Sequence, residues 1–179
     1  MGSPVKHIPV KLIVGLISNR PSSFVFTKRH LERRFGRVDM EMEAVDFSFT
    51  RYYDEEFGVK LKRRFLSFEK PIMLEGNHKI KLFTGVLEER QSVKGARVIN
   101  IDPGYISPSK LVLFTTKDRS HRVYIDKGIY AELELMFSKG SFRPLEWTFM
   151  DFRQACYVEY FNSVREIYLE QIKKHLQKM

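Results

Sequence analysis

Hydrophobic and polar residues follow two different periods along the chain, and these periods predict its secondary structure. The run from Val10 to Ile17 is almost entirely aliphatic and predicts a buried strand. Phe24, Leu31 and Phe35 then recur at helical spacing, and Gly36 follows as a C-terminal stop. The chain is therefore predicted to begin with a strand and a helix that ends near Phe35.

The same kinds of element continue through the middle of the chain. Alternating apolar positions predict strands at residues 40–47, 59–68 and 97–102, and helical spacing returns at residues 79–90. The sequence Asp-Pro-Gly-Tyr at residues 102–105 predicts a turn, because proline presets one backbone dihedral and glycine permits the next. The order strand, helix, strand, strand, helix, strand is that of the ferredoxin-like split βαβ arrangement.

The second half of the chain predicts a different pattern. Three apolar segments separated by polar or glycine turns predict an antiparallel β-meander at residues 111–116, 122–125 and 129–137. An amphipathic pattern predicts a long helix at residues 151–175. We therefore expect a single α+β domain over residues 1–179. Its ferredoxin-like split βαβ arrangement is extended by a C-terminal antiparallel β-meander and a long C-terminal helix.

Composition is that of an ordinary globular protein. The chain has 179 residues, of which 43% are hydrophobic and 30% charged, which is enough for one sizeable core. No apolar run approaches the roughly 18 residues that a membrane helix needs, so we expect no membrane partner and a cytoplasmic location. The single cysteine, Cys156, excludes an internal disulfide.

The charge balance favours an anionic partner. Lysine and arginine number 31 against 22 aspartates and glutamates, which gives a formal net charge of +9. Such an excess is typical of proteins that bind nucleic acid, a nucleotide or phosphate. Much of it lies in two clusters, Lys28, Arg29, Arg33, Arg34 and Arg37, then Lys60, Lys62, Arg63 and Arg64. A solvated surface is the alternative interpretation of both clusters.

Charged residues interrupt the apolar strands in the second half of the chain. Such groups are costly to remove from water unless they pair, bind a metal or receive a ligand. This segment is therefore the candidate functional site. Its ligand-binding candidates are Lys110, Lys117 and Arg122, which would hold an anion such as a phosphate, together with Asp102, Tyr105 and Tyr130.

One pair of strands in this segment predicts a specific contact. Alternation over residues 129–137 puts the odd-numbered, mostly aliphatic residues on one face and Tyr130, Glu132 and Glu134 together on the other. If a turn at residues 126–128 joins this strand to the preceding one, Glu132 becomes a cross-strand neighbour of Arg122 or Tyr124. A structural ion pair and a ligand site are equally good interpretations of that contact.

Three residues of the segment are candidates for acid–base catalysis. His121 has a side-chain pKa near neutrality, Asp118 is placed to orient its ring, and Glu132 is the third candidate. A hydrogen-bonded structural histidine is the alternative. Asp102, Asp118 and Glu132 are also candidate magnesium ligands, although the metal and cofactor are otherwise unspecified. The chain has no phosphate loop, dinucleotide fingerprint, HExxH motif or cysteine-based zinc pattern.

Several blocks of the sequence resemble one protein family. The blocks are VKLIVGLIS, DFSFTRYYDEEFG, LKRRFLSF, IKLFTGVLEE, RVINIDPGYIS, KLVLFTTKDRSHRVY, KGIYAELEL and LEWTFMDFR. They resemble the bacterial domain-of-unknown-function family 4416 over nearly the whole chain, and the resemblance implies no established activity. It adds Tyr52 and Tyr53 to the ligand-binding candidates, as rings that would stack on a base or lie at a strand edge.

Three functions compete at this point. The leading hypothesis is a protein that binds, and in one version transforms, a phosphate-bearing small molecule or nucleotide in a polar pocket of residues 102–132. The alternative is an RNA-binding or ribonucleoprotein-associated module that uses tyrosines on an open sheet and the two basic clusters. The third is an interaction protein without a small ligand, whose charged strand residues pair structurally. The oligomeric state is not predicted.

Overall fold

The structure is a computed structural model that describes residues 2–3, 7–50 and 54–177. Within those residues the strands are β1 (Lys11–Ser18), β2 (Val38–Glu41), β3 (Val45–Asp46), β4 (Lys62–Phe68), β5 (Asn100–Ile106), β6 (Lys110–Thr115), β7 (Arg122–Asp126), β8 (Ile129–Ser138) and β9 (Ser141–Pro144). The helices are α1 (Pro21–Phe35), α2 (Asp54–Phe57), α3 (His78–Arg90) and α4 (Ala155–Leu176), and a 3₁₀ turn, Asp151–Arg153, precedes α4. Most predicted elements are present, but the strand predicted at residues 40–47 is divided into β2 and β3, and the helix predicted at residues 151–175 starts after the 3₁₀ turn. The short α2 and β9 were not predicted.

All the strands belong to one antiparallel sheet. Its order is β2-β4-β1-β5-β6-β8-β7, with β3 beside β4 and β9 beside β8. Strand β4 lies between β1 and β2, and β5 lies on the other side of β1, which is the split βαβ arrangement. Strands β6 to β9 then extend the sheet as a meander. The predicted α+β architecture is confirmed.

Helices cover both faces of this sheet. On one face α1 and α3 insert Phe24, Leu31 and Leu87 into the core. On the other face α4 packs Phe161 over Phe65 of β4, with ring centroids 4.9 Å apart. All residues of the central strand β1 are buried, which explains its uninterrupted aliphatic pattern. No helix in the described part of the chain has the length and hydropathy that a membrane span requires.

The turn predicted at residues 102–105 is wrong, because these residues lie inside β5. Pro103 has no amide hydrogen to donate to a neighbouring strand, and the pairing of β5 with β6 starts at the next residue, Gly104. The hairpin turn comes later, where the Ser107 amide donates to the Lys110 carbonyl at 2.9 Å. Strands β5 and β6 are thus paired near their hairpin and unpaired beyond Gly104.

The alternation along β8 predicted one apolar face over its whole length, but a bulge interrupts that face. Leu111 of β6 pairs with Leu135, whereas Val112 pairs with Leu133, so Glu134 is an extra residue in β8. This bulge turns Leu133 towards the α1–α3 face and Leu135 towards the α4 face. The bulge also buries the side chain of Glu134, which strand alternation alone placed beside Glu132.

The pairing of β5 with β6 depends on a glycine, and this dependence is testable. A Cβ at Gly104 would lie 2.2 Å from the backbone carbonyl oxygen of Val112. We expect Gly104→Ala to lower the free energy of unfolding by about 2–4 kcal/mol, because backbone atoms must separate to admit the methyl group. Urea denaturation followed by circular dichroism measures this change.

Gly85→Ala is the matched control for that substitution. A Cβ at Gly85, in α3, meets no heavy atom within 4 Å. Alanine favours a helix over glycine by up to about 1 kcal/mol, so this variant should be as stable as the wild type or more stable. If Gly104→Ala is no less stable than Gly85→Ala, the close approach of β5 and β6 is not a constraint on the fold.

Candidate functional site

A cavity of about 760 Å³ lies at the end of the sheet where β5 and β6 are no longer paired. Its size is that of a site for a small molecule or cofactor. Strands β4, β5, β6 and β8, helix α3 and the segment from Phe149 to Phe152 all contribute to its walls. The charged residues that line it are Arg63, Lys81, Arg97, Lys117, Arg119 and Arg122, with Glu88, Glu89, Asp102, Glu132 and Asp151.

The predicted contact between Arg122 and Glu132 is present in one wall. The two residues are directly opposite in the β7–β8 register, and both Nε and a terminal nitrogen of Arg122 lie 3.0 Å from Glu132 Oε2. The carboxylate is buried, with 1% of the residue exposed, so its charge needs this partner. Arg122 also donates to the backbone carbonyl of Lys117 at 2.9 Å, which anchors the loop between β6 and β7.

His121 is held by two contacts. Its Nε2 lies 2.8 Å from Glu132 Oε1, and its ring stacks on Trp147 with centroids 5.6 Å apart. Trp147 in turn donates from Nε1 to the carbonyl of Leu133 at 2.7 Å. The partner that orients the histidine ring is therefore Glu132. The predicted orienting residue, Asp118, is exposed on the loop between β6 and β7.

Arg63 belongs to the second basic cluster of the sequence, but its side chain is buried in the cavity wall. Only 2% of Arg63 is exposed, and its guanidinium lies 4.5 Å from the ring centroid of Phe65 and 5.3 Å from that of Phe152. Its anionic partners are Asp102 at 3.4 Å and Asp151 at 3.9 Å. The alternation of Leu61, Arg63 and Phe65 along the strand was the available signal, because both neighbours are core residues.

Asp102 is the centre of a second group of polar residues. Asn100 donates to Asp102 Oδ2 at 2.6 Å, and Lys81 Nζ lies 3.7 Å from Oδ1. Lys81 donates instead to the carbonyl of Ile101 at 2.7 Å. On the same helix, Glu88 accepts the amide hydrogen of Ile101 at 2.5 Å. Lys81, Glu88 and Asn100 were not predicted, because nothing in the sequence indicates that α3 packs beside Asp102.

Three carboxyl groups around the cavity have a raised pKa. Burial raises the pKa of Glu88 and of Asp151, although Lys81 and Arg63 respectively oppose the shift. Burial raises the pKa of Glu134 to about 8. The amide of Phe149 donates to Glu134 Oε1 at 2.7 Å, whereas Oε2 has no hydrogen-bond partner among the described residues. Glu134 is therefore a largely neutral acid at neutral pH.

The remaining predicted site residues lie elsewhere. Lys110 is exposed at the start of β6, next to the β5–β6 hairpin turn. Tyr105 is buried in the core between the sheet and the helices α1 and α3. Tyr130, Asp118 and His121 are not among the described residues that line the cavity. Tyr52 and Tyr53 lie outside the described residues.

The predicted magnesium ligands are not brought together. Asp102 contacts Arg63 and Asn100, Glu132 contacts His121 and Arg122, and Asp118 is exposed on the loop between β6 and β7. Across residues 2–3, 7–50 and 54–177, no three histidine, cysteine or acidic side chains form a group that would hold a metal ion. The described residues therefore do not fit a magnesium site.

Several members of the two basic clusters have acidic partners. Lys28 and Arg64 each lie 2.5 Å from a different carboxylate oxygen of Glu41. Arg37 pairs with Glu69 and Lys62 pairs with Asp46, at 3.3 Å and 2.8 Å. These pairs reduce the positive charge that the clusters present to a partner.

Comparison with known proteins gives the family of the chain. A family model described as a domain of unknown function (DUF4416) matches residues 8–168. The chain belongs to this family. The DUF4416 match includes every strand and all of α1 to α3, so the cavity lies within the family domain. Neither the search of curated proteins nor the search of solved structures gives a significant match.

Glu134 should make the stability of this DUF4416 protein depend on pH. The folded state holds the Glu134 proton up to about pH 8, whereas the ordinary pKa is 4.5, so the stabilisation is complete below pH 4.5 and is lost as the pH rises towards 8. In Glu134→Gln the side chain cannot ionise, so the variant does not lose stability as the pH rises. We expect the variant to gain roughly 3 kcal/mol relative to the wild type between pH 5 and pH 8.5, measured by urea denaturation.

Glu170→Gln is the control for the change of side chain, because Glu170 is exposed on α4, where it pairs with Lys173 at 3.0 Å. It should keep the pH dependence of the wild type. Parallel stability curves for Glu134→Gln and the wild type would show that Glu134 ionises normally in the folded protein.

Proposed function

We propose that this protein binds a phosphate-bearing small molecule or nucleotide in the cavity at the end of β5 and β6. The observation that supports the proposal is a cavity of about 760 Å³ with cations from the β6–β7 loop in its wall. Lys117 and Arg119 are exposed on that loop, and Arg122 follows them at the start of β7. Lysine and arginine side chains at the mouth of a cleft are the usual ligands of a phosphate.

The arrangement of Arg122 favours a rigid anion site. Its guanidinium is fixed on one side by Glu132 and on another by the carbonyl of Lys117. The loop that carries Lys117 and Arg119 is therefore tied to the sheet through Arg122. A loop fixed in this way binds an anion without losing much conformational entropy.

Apolar surface in the same cavity suits the remainder of such a ligand. Phe49 and Phe149 line the cavity and are exposed, as are Leu82 and Val86 of α3. Exposed apolar groups in a concave site mark a place where a ligand removes them from water. A nucleotide or another phosphorylated compound with an apolar portion would contact both surfaces.

The predicted acid–base residue His121 is not part of this proposal. Its ring nitrogen Nε2 is hydrogen-bonded to Glu132, and the residue is not among the described residues that line the cavity, so we propose binding as the function.

The cavity is favoured over an RNA-binding surface by two observations. Helices cover both faces of the sheet over its central strands, so the open face that stacked bases need is limited to the edge strand β7, where Tyr124 is exposed. The basic clusters are partly neutralised by Glu41, Asp46 and Glu69. We therefore propose no second function.

A ligand screen tests the proposal. Thermal unfolding of the protein would be followed with nucleoside mono-, di- and triphosphates, pentose phosphates and inorganic phosphate. A compound that binds only the folded state raises the midpoint in proportion to its affinity and concentration. We expect at least one phosphorylated compound to raise the midpoint, and calorimetric titration would then give its Kd.

Charge reversal locates the site. Arg119→Glu should weaken that compound at least tenfold, because it replaces an attractive charge in the wall with a repulsive one. Lys110→Glu makes the same change in net charge at an exposed site near the β5–β6 hairpin turn and should change the Kd less than twofold. Equal effects of the two variants, or a panel in which nothing raises the midpoint, would contradict the proposal.

A further inference from the structure

Asp102 and Lys81 form an incomplete hydrogen-bonding pair in the cavity wall. Their atoms Oδ1 and Nζ are 3.7 Å apart, which is too far for a hydrogen bond between them. Asp102 Oδ2 is used by Asn100 and Arg63, whereas Oδ1 accepts no hydrogen bond from the described residues. Lys81 donates one hydrogen to the carbonyl of Ile101 and has two more. An acceptor and a donor therefore lie side by side at the cavity surface.

Buried neighbours fix this pair in place. Asn100 is 6% exposed and Arg63 is 2% exposed, and both donate to Asp102. Gly15 leaves the space that the guanidinium occupies, because a Cβ there would lie 2.6 Å from a terminal nitrogen of Arg63. A carboxylate held in this way presents Oδ1 in one direction, which is a property of a prearranged binding site.

The chemistry of the pair selects a hydroxyl group. A hydroxyl both donates and accepts, so it can donate to Asp102 Oδ1 while it accepts from Lys81. An anion at this position would be repelled by Asp102 and by Glu88, which lies nearby on α3. A metal ion would be repelled by Lys81 and Arg63, and the described residues offer no group of three ligands for it.

The position of the pair relative to the cationic loop completes the argument. Pairing of β5 with β6 ends at Gly104 and Leu113. Asp102 is two residues beyond that end on β5, level with Thr115, the last residue of β6, and the loop that carries Lys117 and Arg119 starts at the next residue. A phosphate near Lys117 and Arg119 and a hydroxyl at Asp102 would therefore lie in the same cavity, within reach of one small molecule.

We infer that Asp102 and Lys81 form a hydroxyl subsite, and that the ligand of the cavity is a phosphate ester of a polyhydroxylated compound. The inference rests on the proposed function, since the phosphate end is assigned to the loop that carries Arg119. A sugar phosphate and a ribonucleotide share this chemistry. In either ligand, a sugar hydroxyl donates to Asp102 and accepts from Lys81.

The test is a comparison of ligands that differ in one hydroxyl. Calorimetric titration would give Kd for ribose 5-phosphate against 2-deoxyribose 5-phosphate, and for adenosine 5′-monophosphate against its 2′-deoxy counterpart. Loss of a buried hydrogen-bonding partner leaves Asp102 unsatisfied, so we expect at least tenfold weaker binding of the deoxy compound in one pair. The first pair identifies a sugar phosphate site and the second a ribonucleotide site.

Variants of Asp102 and Lys81 show whether the subsite causes the difference between the two Kd values. Asp102→Asn should reduce the ratio of the two Kd values to below about threefold while the deoxy compound binds nearly as before. Glu170→Gln removes one negative charge from the exposed part of α4 and should leave the ratio unchanged. If Asp102→Asn does not fold, Lys81→Gln is the second variant. The ratio of Kd values for the wild type is measured without either variant.

Three results would overturn the inference, and they are distinguishable from one another. If both members of each pair bind equally and Arg119→Glu still weakens them, the hydroxyl subsite is wrong and the phosphate site stands. If neither pair binds while inorganic phosphate raises the unfolding midpoint, the ligand class is wrong and the phosphate site stands. If no compound of the whole panel binds, both the inference and the proposed function fail.

Discussion

The burial of one arginine determines how the cavity is built. A guanidinium removed from water is costly unless it is paired, and Arg63 is paired on one side with Asp102 and on the other with Asp151. Space for it exists because β1 has Gly15 opposite Phe65 of β4. The rings of Phe65 and Phe152 enclose the guanidinium. Arg63 thereby joins β1, β4 and β5 to the 3₁₀ turn before α4, and the residues of that turn form one wall of the cavity.

The cavity exists because β5 is paired with β6 at one end and unpaired at the other. Pairing with β6 holds Gly104 to Ile106, and it is absent on the other side of Pro103. Polar side chains in the paired part would meet a helix on either face, whereas Asn100 and Asp102 lie at the open end. Glu134 lies outside the cavity lining and supports one wall, since its carboxyl group accepts from the amide of Phe149 and its carbonyl accepts from the hydroxyl of Thr148. Burial raises the pKa of Glu134, and the neighbouring Glu132 and Asp151 raise it further, so the wall is held by a neutral acid.

The sequence predicts the elements and their order well, because long apolar periods are averaged over many residues. It predicts contacts only where one turn connects the partners, as for Arg122 and Glu132 across a hairpin. Asp102 and Lys81 are separated by a loop and a helix boundary, so their proximity depends on how α3 packs, which no local pattern encodes. The Asp-Pro-Gly sequence misleads because the same residues that favour a turn also suit a strand at the point where its pairing ends.

Structural pairing and ligand binding are not exclusive interpretations of the charged residues. Arg122 and Glu132 form an ion pair with little exposure on either side chain, and by itself such a pair adds little net stability because desolvation offsets the attraction. Its position explains its presence better, since it fixes the loop that carries Arg119 and orients His121. In the same way, Arg63 and Asn100 use one oxygen of Asp102 and leave the other directed into the cavity. Apolar residues of the same volume often stabilise a protein as well as a buried ion pair does, so stability alone does not account for these charges, whereas support of the proposed binding site does.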